Sequence, residues 1–160
     1  MSKHTALYAG SFDPVTRGHI DLMRRSLQFA DELVVAVAIN SKKVPLFTSD
    51  ERVAFIRDAV ADEPRIRVEA FDGLLVDFAR AVGASMLLRG LRAVSDFEYE
   101  FQMALMNRHL EPTLETIFMV PSLDTTYISS TMVREVARFG GDLTGLTAPS
   151  VITALRARFA

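Results

Sequence analysis

Cysteine is absent from this 160-residue chain. The chain therefore has no disulfide framework, no thiolate metal site and no cysteine nucleophile. An absence of cysteine also fits a reducing compartment. Histidine is scarce: His4, His19 and His109 are the only three, and no two of them have the helical spacing of a metal-ligand pair.

Two common nucleotide-binding motifs are also missing. No Gly-x-Gly-x-x-Gly follows the first predicted strand, which disfavours an NAD-dependent dehydrogenase. No Gly-x-x-x-x-Gly-Lys-Ser/Thr occurs, which excludes a P-loop enzyme.

Long apolar runs and a strong charge of either sign are lacking too. The longest apolar run, residues 33–39, is too short to span a bilayer, and residues 1–10 have no apolar core of the kind that a secretory signal needs. The formal net charge of −2 argues against bulk nucleic-acid binding, although it leaves room for a local basic pocket. We therefore expect a cytoplasmic protein with neither a nucleic-acid nor a membrane partner.

What the chain does have is an alternation of strand and helix patterns. Its length and its 49% apolar residues predict a single domain over residues 1–160. The predicted strands are residues 5–9, 33–39, 66–71, 86–88 and 116–120. The predicted helices are residues 18–30, 48 onward, 74–82, 95–110, 129–139 and 149 to the end, with capping boxes at Thr48–Glu51 and Ser95–Glu98. This order predicts an α/β fold with an open, mostly parallel five-stranded sheet and helices on both faces.

Polar segments follow four of these strands. Because ligands bind outside the carboxyl ends of such strands, residues 11–19, 40–43, 89–92 and 122–131 are the candidate site segments.

The first segment, Gly10 to His19, combines a sharp turn with the start of a helix. Free N–H groups and the partial positive charge of a helix N-terminus suit a phosphate, and His19 in that first turn can donate to a phosphoryl oxygen. The alternative is a turn whose glycines serve the backbone and whose histidine merely packs. The position after the first strand of an alternating chain favours the functional interpretation.

Basic side chains occupy the second and third segments. Lys42 and Lys43 could neutralise phosphate charge, although taken alone they are better explained as a solvated loop. Arg89-Gly90-Leu91-Arg92 suits bidentate phosphate contacts, and surface ion pairs are the alternative.

The fourth segment, residues 125–131, has five serine and threonine residues immediately before a helix. A cap needs one or two of them, so the surplus indicates donors for nucleotide phosphates. The apolar helix that follows the arginine segment, around residues 97–106, is hydrophobic on more than one face. Core packing explains one face, and a subunit interface is our hypothesis for the rest.

These segments together resemble the phosphopantetheine adenylyltransferases, a family of the nucleotidyltransferases that carry a Thr/His-x-Gly-His motif. The resemblance runs from Tyr8 almost to the C-terminus and includes Arg89–Arg92, Asp96–Glu100, Met106–Arg108 and Ile128–Ser130. It implies a Rossmann-like fold, ATP with Mg²⁺, 4′-phosphopantetheine as acceptor, dephospho-coenzyme A and pyrophosphate as products, and a homohexamer. It also suggests that coenzyme A binds to the protein as a feedback ligand.

The resemblance assigns roles by matching position. The catalytic residues would be His19, Lys43 and Ser11, with no protein metal ligand, and the acceptor would be held by Ser11, Lys43, Leu75 and Arg89. The ATP site would comprise Ser11, Phe12, His19, Gly90, Leu91, Arg92, Glu100, Thr125, Thr126, Tyr127, Ile128, Ser129, Ser130 and Thr131.

Two positions depart from the family pattern: Ser11 stands where threonine is frequent, and Ala9 where some members have proline. Serine keeps the hydroxyl, so activity is still expected. The segment around Leu75 varies in the family, which makes Leu75 the least secure assignment.

The expected reaction is an in-line attack of the acceptor phosphate on the α-phosphorus of ATP, without a covalent enzyme intermediate. Two alternatives remain open. One is a nucleotidyltransferase of the same fold with nicotinamide mononucleotide or a glycerol phosphate as acceptor, and the other is a non-catalytic nucleotide or coenzyme A sensor.

Overall fold

The computed structural model describes residues 3–39 and 44–160. Within these ranges strands and helices alternate until the last two helices. The strands are β1 (Thr5–Gly10), β2 (Glu32–Ala38), β3 (Ile66–Phe71), β4 (Met86–Gly90) and β5 (Glu115–Met119). The helices are α1 (Arg17–Ser26), α2 (Ser49–Ala59), α3 (Leu75–Ala81), α4 (Val94–Leu110), α5 (Ser130–Arg138) and α6 (Pro149–Arg158).

The five strands form one sheet in the order β3-β2-β1-β4-β5, and all four pairings are parallel. The predicted open parallel sheet is therefore confirmed. Because the chain builds outward from β1 to β3 and then returns to place β4 on the other side of β1, the direction of winding reverses between β1 and β4. The carboxyl ends of strands at such a reversal are where ligands bind in this class of fold.

Helices cover both faces of the sheet, as predicted. On one face α1, α2, α5 and α6 close over the larger core, which includes Met23, Ile56, Val133 and Leu155. On the other face α3 contributes Val76 and Ala79 to a smaller core with Leu7, Val34, Ala36, Leu87 and Leu114. The central strands are buried on both sides, which explains why β2 is a continuous apolar run.

Two predicted helix starts are confirmed by their caps. The side chain of Thr48 accepts from the Glu51 N–H while Glu51 reaches back to the Thr48 N–H, and Ser129 caps α5 by accepting from Met132. The predicted stop after α3 is also present, since Gly83 adopts a positive φ of 69°.

Three predicted boundaries are wrong. Helix α1 ends at Ser26 rather than Ala30, because the next residues form tight turns in which Gln28 donates to Arg25. Strand β4 extends to Gly90, so Arg89 lies in the strand and not after it. Helix α4 begins at Val94, with Ala93 at the N-cap and no side-chain cap, so the second predicted capping box is wrong.

Helix α4 also contradicts the expectation that one of its apolar faces packs in the core. Among its described side chains only Glu100 and Asn107 are buried. Its large apolar residues are exposed in the monomer: Phe97, Tyr99, Phe101, Met103, Leu105, Met106 and Leu110. No helix in the described ranges, α4 included, is both long and apolar enough to cross a membrane.

Candidate active site

A cavity of about 610 Å³ opens where β1 and β4 end, which is the reversal point of the sheet. Its walls come from the loop after β1, the first turn of α1, the end of β4, the start of α4 and the loop before α5. The volume suits a nucleotide-sized ligand. Three of the four predicted segments therefore converge on one cavity.

The imidazole of His19 is held by a reciprocal cap at the start of α1. Thr16 is the N-cap residue, and its side-chain oxygen accepts from the His19 N–H at 3.3 Å. In return the Thr16 N–H donates to Nδ1 of His19 at 2.9 Å. The Thr-x-Gly-His motif is thus a capping box in which histidine takes the place that glutamate or glutamine usually fills.

This cap determines which ring nitrogen carries the proton. Because Nδ1 accepts from a backbone N–H, the proton of the neutral ring sits on Nε2. Nε2 has no partner among the residues that the structure describes, and His19 lines the cavity. The ring therefore offers one N–H donor for a ligand.

Burial lowers the pKa of His19 to about 4, and the nearby Arg92 and Arg89 guanidinium groups add to this effect. The ring is thus neutral at neutral pH, and it acts as a hydrogen-bond donor rather than as a cation. Phe12, with a φ of 47°, packs edge-on against it, with ring centroids 5.0 Å apart.

The first turn of α1 leaves one backbone N–H free. Arg17 donates its N–H to Leu146, and His19 donates to Thr16, but that of Gly18 has no partner in the described part of the chain. A Cβ built on Gly18 would lie 3.5 Å from the Thr125 carbonyl oxygen, which is ordinary contact. Packing does not require glycine here, whereas a ligand that approaches the free N–H closely would.

The start of α5 supplies a second helix N-terminus to the same cavity. Ser129, Ser130 and Thr131 line it, and Ser129 uses its side chain to cap Met132. The N–H groups of Ser130 and Thr131 have no hydrogen-bond partner in the described ranges. Two helix N-termini with free amides therefore face one cavity, an arrangement that favours a polyanion.

Polar side chains hold the backbone of the loop after β1. Ser130 donates its hydroxyl to the Pro14 carbonyl at 2.8 Å, and Thr147 donates to Val15 at 2.6 Å. The buried Asp13 carboxylate accepts from the N–H groups of Leu46 and Phe47, at 2.7 and 3.0 Å. The carbonyl oxygens of Pro14 and Val15 are therefore hydrogen-bonded within the protein, which reduces their repulsion of an anionic ligand.

Arginine side chains line the opposite wall. Arg89 donates Nε and Nη2 to the two oxygens of Glu100, at 2.8 and 2.7 Å, and Nη1 to the Ala9 carbonyl at 3.0 Å. Hydrogen bonding to Glu100 raises the pKa of the Arg89 guanidinium. Arg92 is exposed and has no ion pair with any described residue, so its charge is available to a ligand.

Most of the predicted site residues line this cavity. Those present are Ser11, Phe12, His19, Arg89, Gly90, Arg92, Glu100, Thr125, Ile128, Ser129, Ser130 and Thr131. Leu91, Thr126 and Tyr127 lie beside it in sequence but outside its lining, and Leu91 continues the ladder by donating its N–H to Met119. Leu75 lies in the first turn of α3 against the smaller core. Lys43 lies outside the described residues.

Sequence reasoning missed several lining residues, among them Tyr8, Leu22, Asp96, Tyr99 and Pro121, whereas Thr16 lies in the first predicted segment without an assigned role. Tyr8 and Leu22 occupy apolar positions of a strand and a helix, so no polar motif marked them as site residues. Tyr8 is buried and also lines the cavity. Its ring packs edge-on against Phe12, with centroids 5.2 Å apart, and burial raises the pKa of its phenol. Asp96 and Tyr99 stood within the motif that carried the resemblance, and that was the signal available for them.

The described residues contain no group of three or more His, Asp or Glu side chains that could hold a metal ion. The two acidic residues of the lining are Asp96 and Glu100, and Glu100 is engaged by Arg89. A divalent cation here would need its ligands from elsewhere, such as phosphate oxygens and water.

Comparisons with known proteins agree with this geometry. Residues 7–136 match the model of the cytidylyltransferase-like family. A phosphopantetheine adenylyltransferase from Thiobacillus denitrificans is 56% identical over 92% of both chains. Another, from Heliobacterium modesticaldum, is 54% identical over 96% of this chain and 92% of the relative. This chain belongs to the phosphopantetheine adenylyltransferase family.

Membership of this family confirms the resemblance that the motifs indicated. A solved structure supports the fold independently: a candidate nicotinate-nucleotide adenylyltransferase from Vibrio parahaemolyticus superposes with a TM-score of 0.66 at 20% identity, covering 98% of this chain and 93% of that one. At that identity the likeness shows a shared Rossmann-like fold.

Proposed function

We propose that this chain transfers AMP from ATP to 4′-phosphopantetheine, giving dephospho-coenzyme A and pyrophosphate. The observation that carries the transfer chemistry is the convergence on one cavity of a neutral His19 donor and two helix N-termini with free amides. The choice of acceptor rests on the relatives at 51–56% identity, which share the name phosphopantetheine adenylyltransferase.

The reaction needs no nucleophile from the protein. An oxygen of the acceptor phosphate attacks the α-phosphorus of ATP in line, a new P–O bond forms, and the bond to the bridging oxygen breaks. Pyrophosphate leaves with that electron pair. The acceptor phosphate is already an anion near neutral pH, so catalysis rests on positioning and on stabilising the charge of the transition state.

His19 is the group best suited to that stabilisation. Its Nε2–H would donate to an oxygen of the α-phosphate, and its ring is already held by Thr16 before any ligand binds. A donor whose orientation is set in advance needs no reorganisation during the reaction. In the proposal, the Ser11 hydroxyl and the Lys43 ammonium contact the same phosphate and the incoming oxygen.

The remaining phosphates of ATP would lie between the two helix N-termini. The free N–H groups of Gly18, Ser130 and Thr131 suit the β- and γ-phosphates, and Arg92 would balance their charge. The adenine base of ATP would lie among the residues that follow β4 and those that precede α5, including Leu91 and Thr125 to Tyr127.

The acceptor would approach from the side of Arg89. This arginine keeps donor hydrogens beyond those used on Glu100 and Ala9, so it can bind the acceptor without releasing either partner. Lys43 and Leu75 complete the proposed acceptor site. Mg²⁺ would arrive as part of the substrate, bound to the phosphates of ATP.

Three further parts of the proposal concern the protein beyond its single site. The exposed apolar side chains of α4 support an oligomer, which we propose is a hexamer. Coenzyme A shares the pantetheine and adenylyl parts of the product, so it would bind the same cavity as a feedback ligand. The cytoplasm is the proposed location, in keeping with a cysteine-free sequence.

The test is pyrophosphate release from ATP and Mg²⁺, with 4′-phosphopantetheine and nicotinamide mononucleotide offered in parallel. Release with phosphopantetheine alone is the expected result. Release with nicotinamide mononucleotide would keep the chemistry and overturn the acceptor. ATP binding without turnover on either acceptor would indicate a nucleotide or coenzyme A sensor.

A further inference from the structure

Arg52, in the first turns of α2, is almost completely buried, with 1% of its surface exposed. Its Nη1 donates to the carbonyl oxygens of Ser11 at 2.6 Å and Ala38 at 2.9 Å. Its Nε donates to Phe47 and Thr48 at 3.1 and 3.3 Å. One guanidinium thus joins the loop after β1, the end of β2 and the start of α2.

No described carboxylate pairs with this buried charge. A cation among carbonyl dipoles is partly compensated, but burial without a counter-ion still costs free energy. An apolar residue here would leave four carbonyl oxygens without this donor, so Arg52 also contributes to stability. A role in placing the Ser11 peptide is therefore a second role, which needs a readout other than stability.

Neighbouring carbonyls of the same loop accept hydrogen bonds from neutral hydroxyl groups, whose burial costs less free energy than that of a charged group. The hydroxyls of Ser130 and Thr147 take the Pro14 and Val15 oxygens, at 2.8 and 2.6 Å. A long side chain is needed to reach Ser11 and Ala38 from α2, and Nη1 of Arg52 donates to both carbonyls while Nε donates to the start of the helix. Arg52 differs from these hydroxyls because it links Ser11, in the cavity wall, to Ala38 at the end of β2.

Ser11 is the residue whose placement depends on this link. It lines the cavity and is itself exposed, and Phe12, which follows it, packs on the His19 ring. With its carbonyl oxygen drawn back onto Arg52, the Ser11 peptide keeps that oxygen away from an anionic ligand. A rotation of this peptide would bring a negative dipole towards the phosphates and displace the Phe12 ring.

We propose that Arg52 is a positioning residue of the adenylyl-transfer reaction, which holds the Ser11 peptide in the orientation that the transferring phosphate requires. The proposal rests on the function proposed above. Arg52 is buried behind the loop and lies outside the cavity lining, so it would act by holding the Ser11 carbonyl and not by contact with a substrate.

Two substitutions separate its charge from its reach. Arg52→Lys keeps a cation but places the nitrogen where the guanidinium carbon was, too far back to hold both Ser11 and Ala38. Arg52→Met keeps the apolar stem, is shorter and removes the charge, and we expect it to unfold at a lower temperature than the parent because the carbonyl oxygens lose their donor. Arg57→Lys is the control, because Arg57 lies on the same helix and donates at 2.8 Å to the strand carbonyl of Val68, outside the cavity lining.

The experiment measures pyrophosphate release and thermal unfolding for the parent and all three variants, with the KM values for ATP and 4′-phosphopantetheine. We expect kcat to fall roughly 10- to 100-fold in both Arg52 variants, as displacement of a reacting group does elsewhere, while Arg57→Lys keeps the parental kcat. Assayed at a temperature where thermal unfolding shows each variant to be fully folded, both Arg52 variants should still have a lowered kcat, which a merely structural residue does not produce.

Parental kcat in either folded Arg52 variant would overturn the proposal, and so would a kcat loss that merely follows the unfolding temperature in all three variants. Failure of both Arg52 variants to fold would assign Arg52 to folding instead. An inactive parent would overturn the proposed function, and this outcome is separate because it appears before any variant is compared.

Discussion

The hydrogen bonds of His19 serve two purposes with one side chain. Nδ1 completes the cap of α1, and the same bond leaves the proton on Nε2, where it faces the cavity. The hydrogen bond that completes the helix cap therefore also orients the proposed catalytic donor. Replacing His19 alters both roles unless the substituted residue preserves the cap.

Glutamine at position 19 separates these roles. Glutamine is a usual partner in a capping box, so His19→Gln should keep the cap while it removes the imidazole donor. We expect kcat to fall roughly 10²- to 10³-fold, as loss of one preorganised donor does elsewhere. His19→Ala should lose the same activity and in addition about 1 kcal/mol of stability, because the Thr16 N–H loses its acceptor while the Thr16 side chain still caps the helix.

Steady-state kinetics and urea unfolding measure the two effects. His4→Ala is the control, since His4 is exposed and lies outside the cavity lining. An unchanged kcat with a raised KM for ATP would make His19 a binding residue only.

The low pKa of His19 predicts how stability depends on pH. An unfolded imidazole takes up its proton near pH 6.5, whereas His19 in the fold remains neutral down to about pH 4. Between these values the unfolded state binds more protons, so the free energy of unfolding falls as the pH falls from 6.5 to 4. Below pH 4 both states are protonated and the effect no longer grows.

The size of this loss is on the order of 3 kcal/mol for a shift of this extent. Urea unfolding at pH 7 and pH 4.5 should show a steeper loss in the parent than in His19→Gln, which has no imidazole to protonate. Equal losses in the two proteins would mean that the pKa of His19 is close to its ordinary value.

At the scale of one element, Gly18 distinguishes packing from function. A Cβ at this position meets only ordinary contacts, so Gly18→Ala should fold, and it should gain up to about 1 kcal/mol from the higher helix propensity of alanine. The added methyl group would stand beside the free N–H in the cavity wall. We expect a rise of about tenfold or more in the KM for ATP, in line with the loss of one good hydrogen bond to a charged group.

Gly83→Ala provides the opposite case. Gly83 has a φ of 69° and nothing within 4 Å of a built Cβ, so alanine there is strained but clashes with nothing. It should lose roughly 1 kcal/mol of stability and keep the parental KM. If Gly18→Ala also keeps the parental KM, the free amide of α1 does not bind ATP.

The elements themselves were largely predictable, because their signals are local. The apolar run of β2 and the capping box of Thr48 each depend on a few neighbouring residues. The order of the strands was not, since the position of β4 beside β1 depends on how distant segments pack. The predicted box at Ser95 is wrong because α4 begins at Val94, with Ala93 as its N-cap and no side-chain cap.

The candidate site shows the same division. Residues that form a recognisable motif, such as His19 and Arg92, were found from the sequence and lie in the cavity. Arg52 was not, because its role depends on three segments that meet only in the fold. Tyr8 lies within a predicted strand, and a strand pattern carries no information about the cavity that this buried residue also lines.

At the scale of the whole molecule, the monomer does not explain why α4 exposes so many large apolar side chains. Among its described side chains the buried ones are polar, Glu100 and Asn107, and the large apolar ones are exposed. Tyr99 is 63% exposed and Met106 is 53% exposed, in a helix of 17 residues. A helix with this inverted pattern is typical of an element whose apolar face is covered by another subunit.

We therefore expect the parent to have an oligomeric mass in light scattering, and a glutamate on α4 to lower it. Leu105→Glu and Met106→Glu place a charge among exposed apolar side chains, which an aqueous monomer tolerates and a buried interface does not. Phe139→Glu is the control, since Phe139 is 79% exposed but lies after α5. Because the α4 residue Glu100 holds Arg89 in the cavity, dissociation should also weaken turnover, so the mass and the activity should fall together. A monomeric parent, or an α4 variant of unchanged mass, would show that the exposed face of α4 has another use.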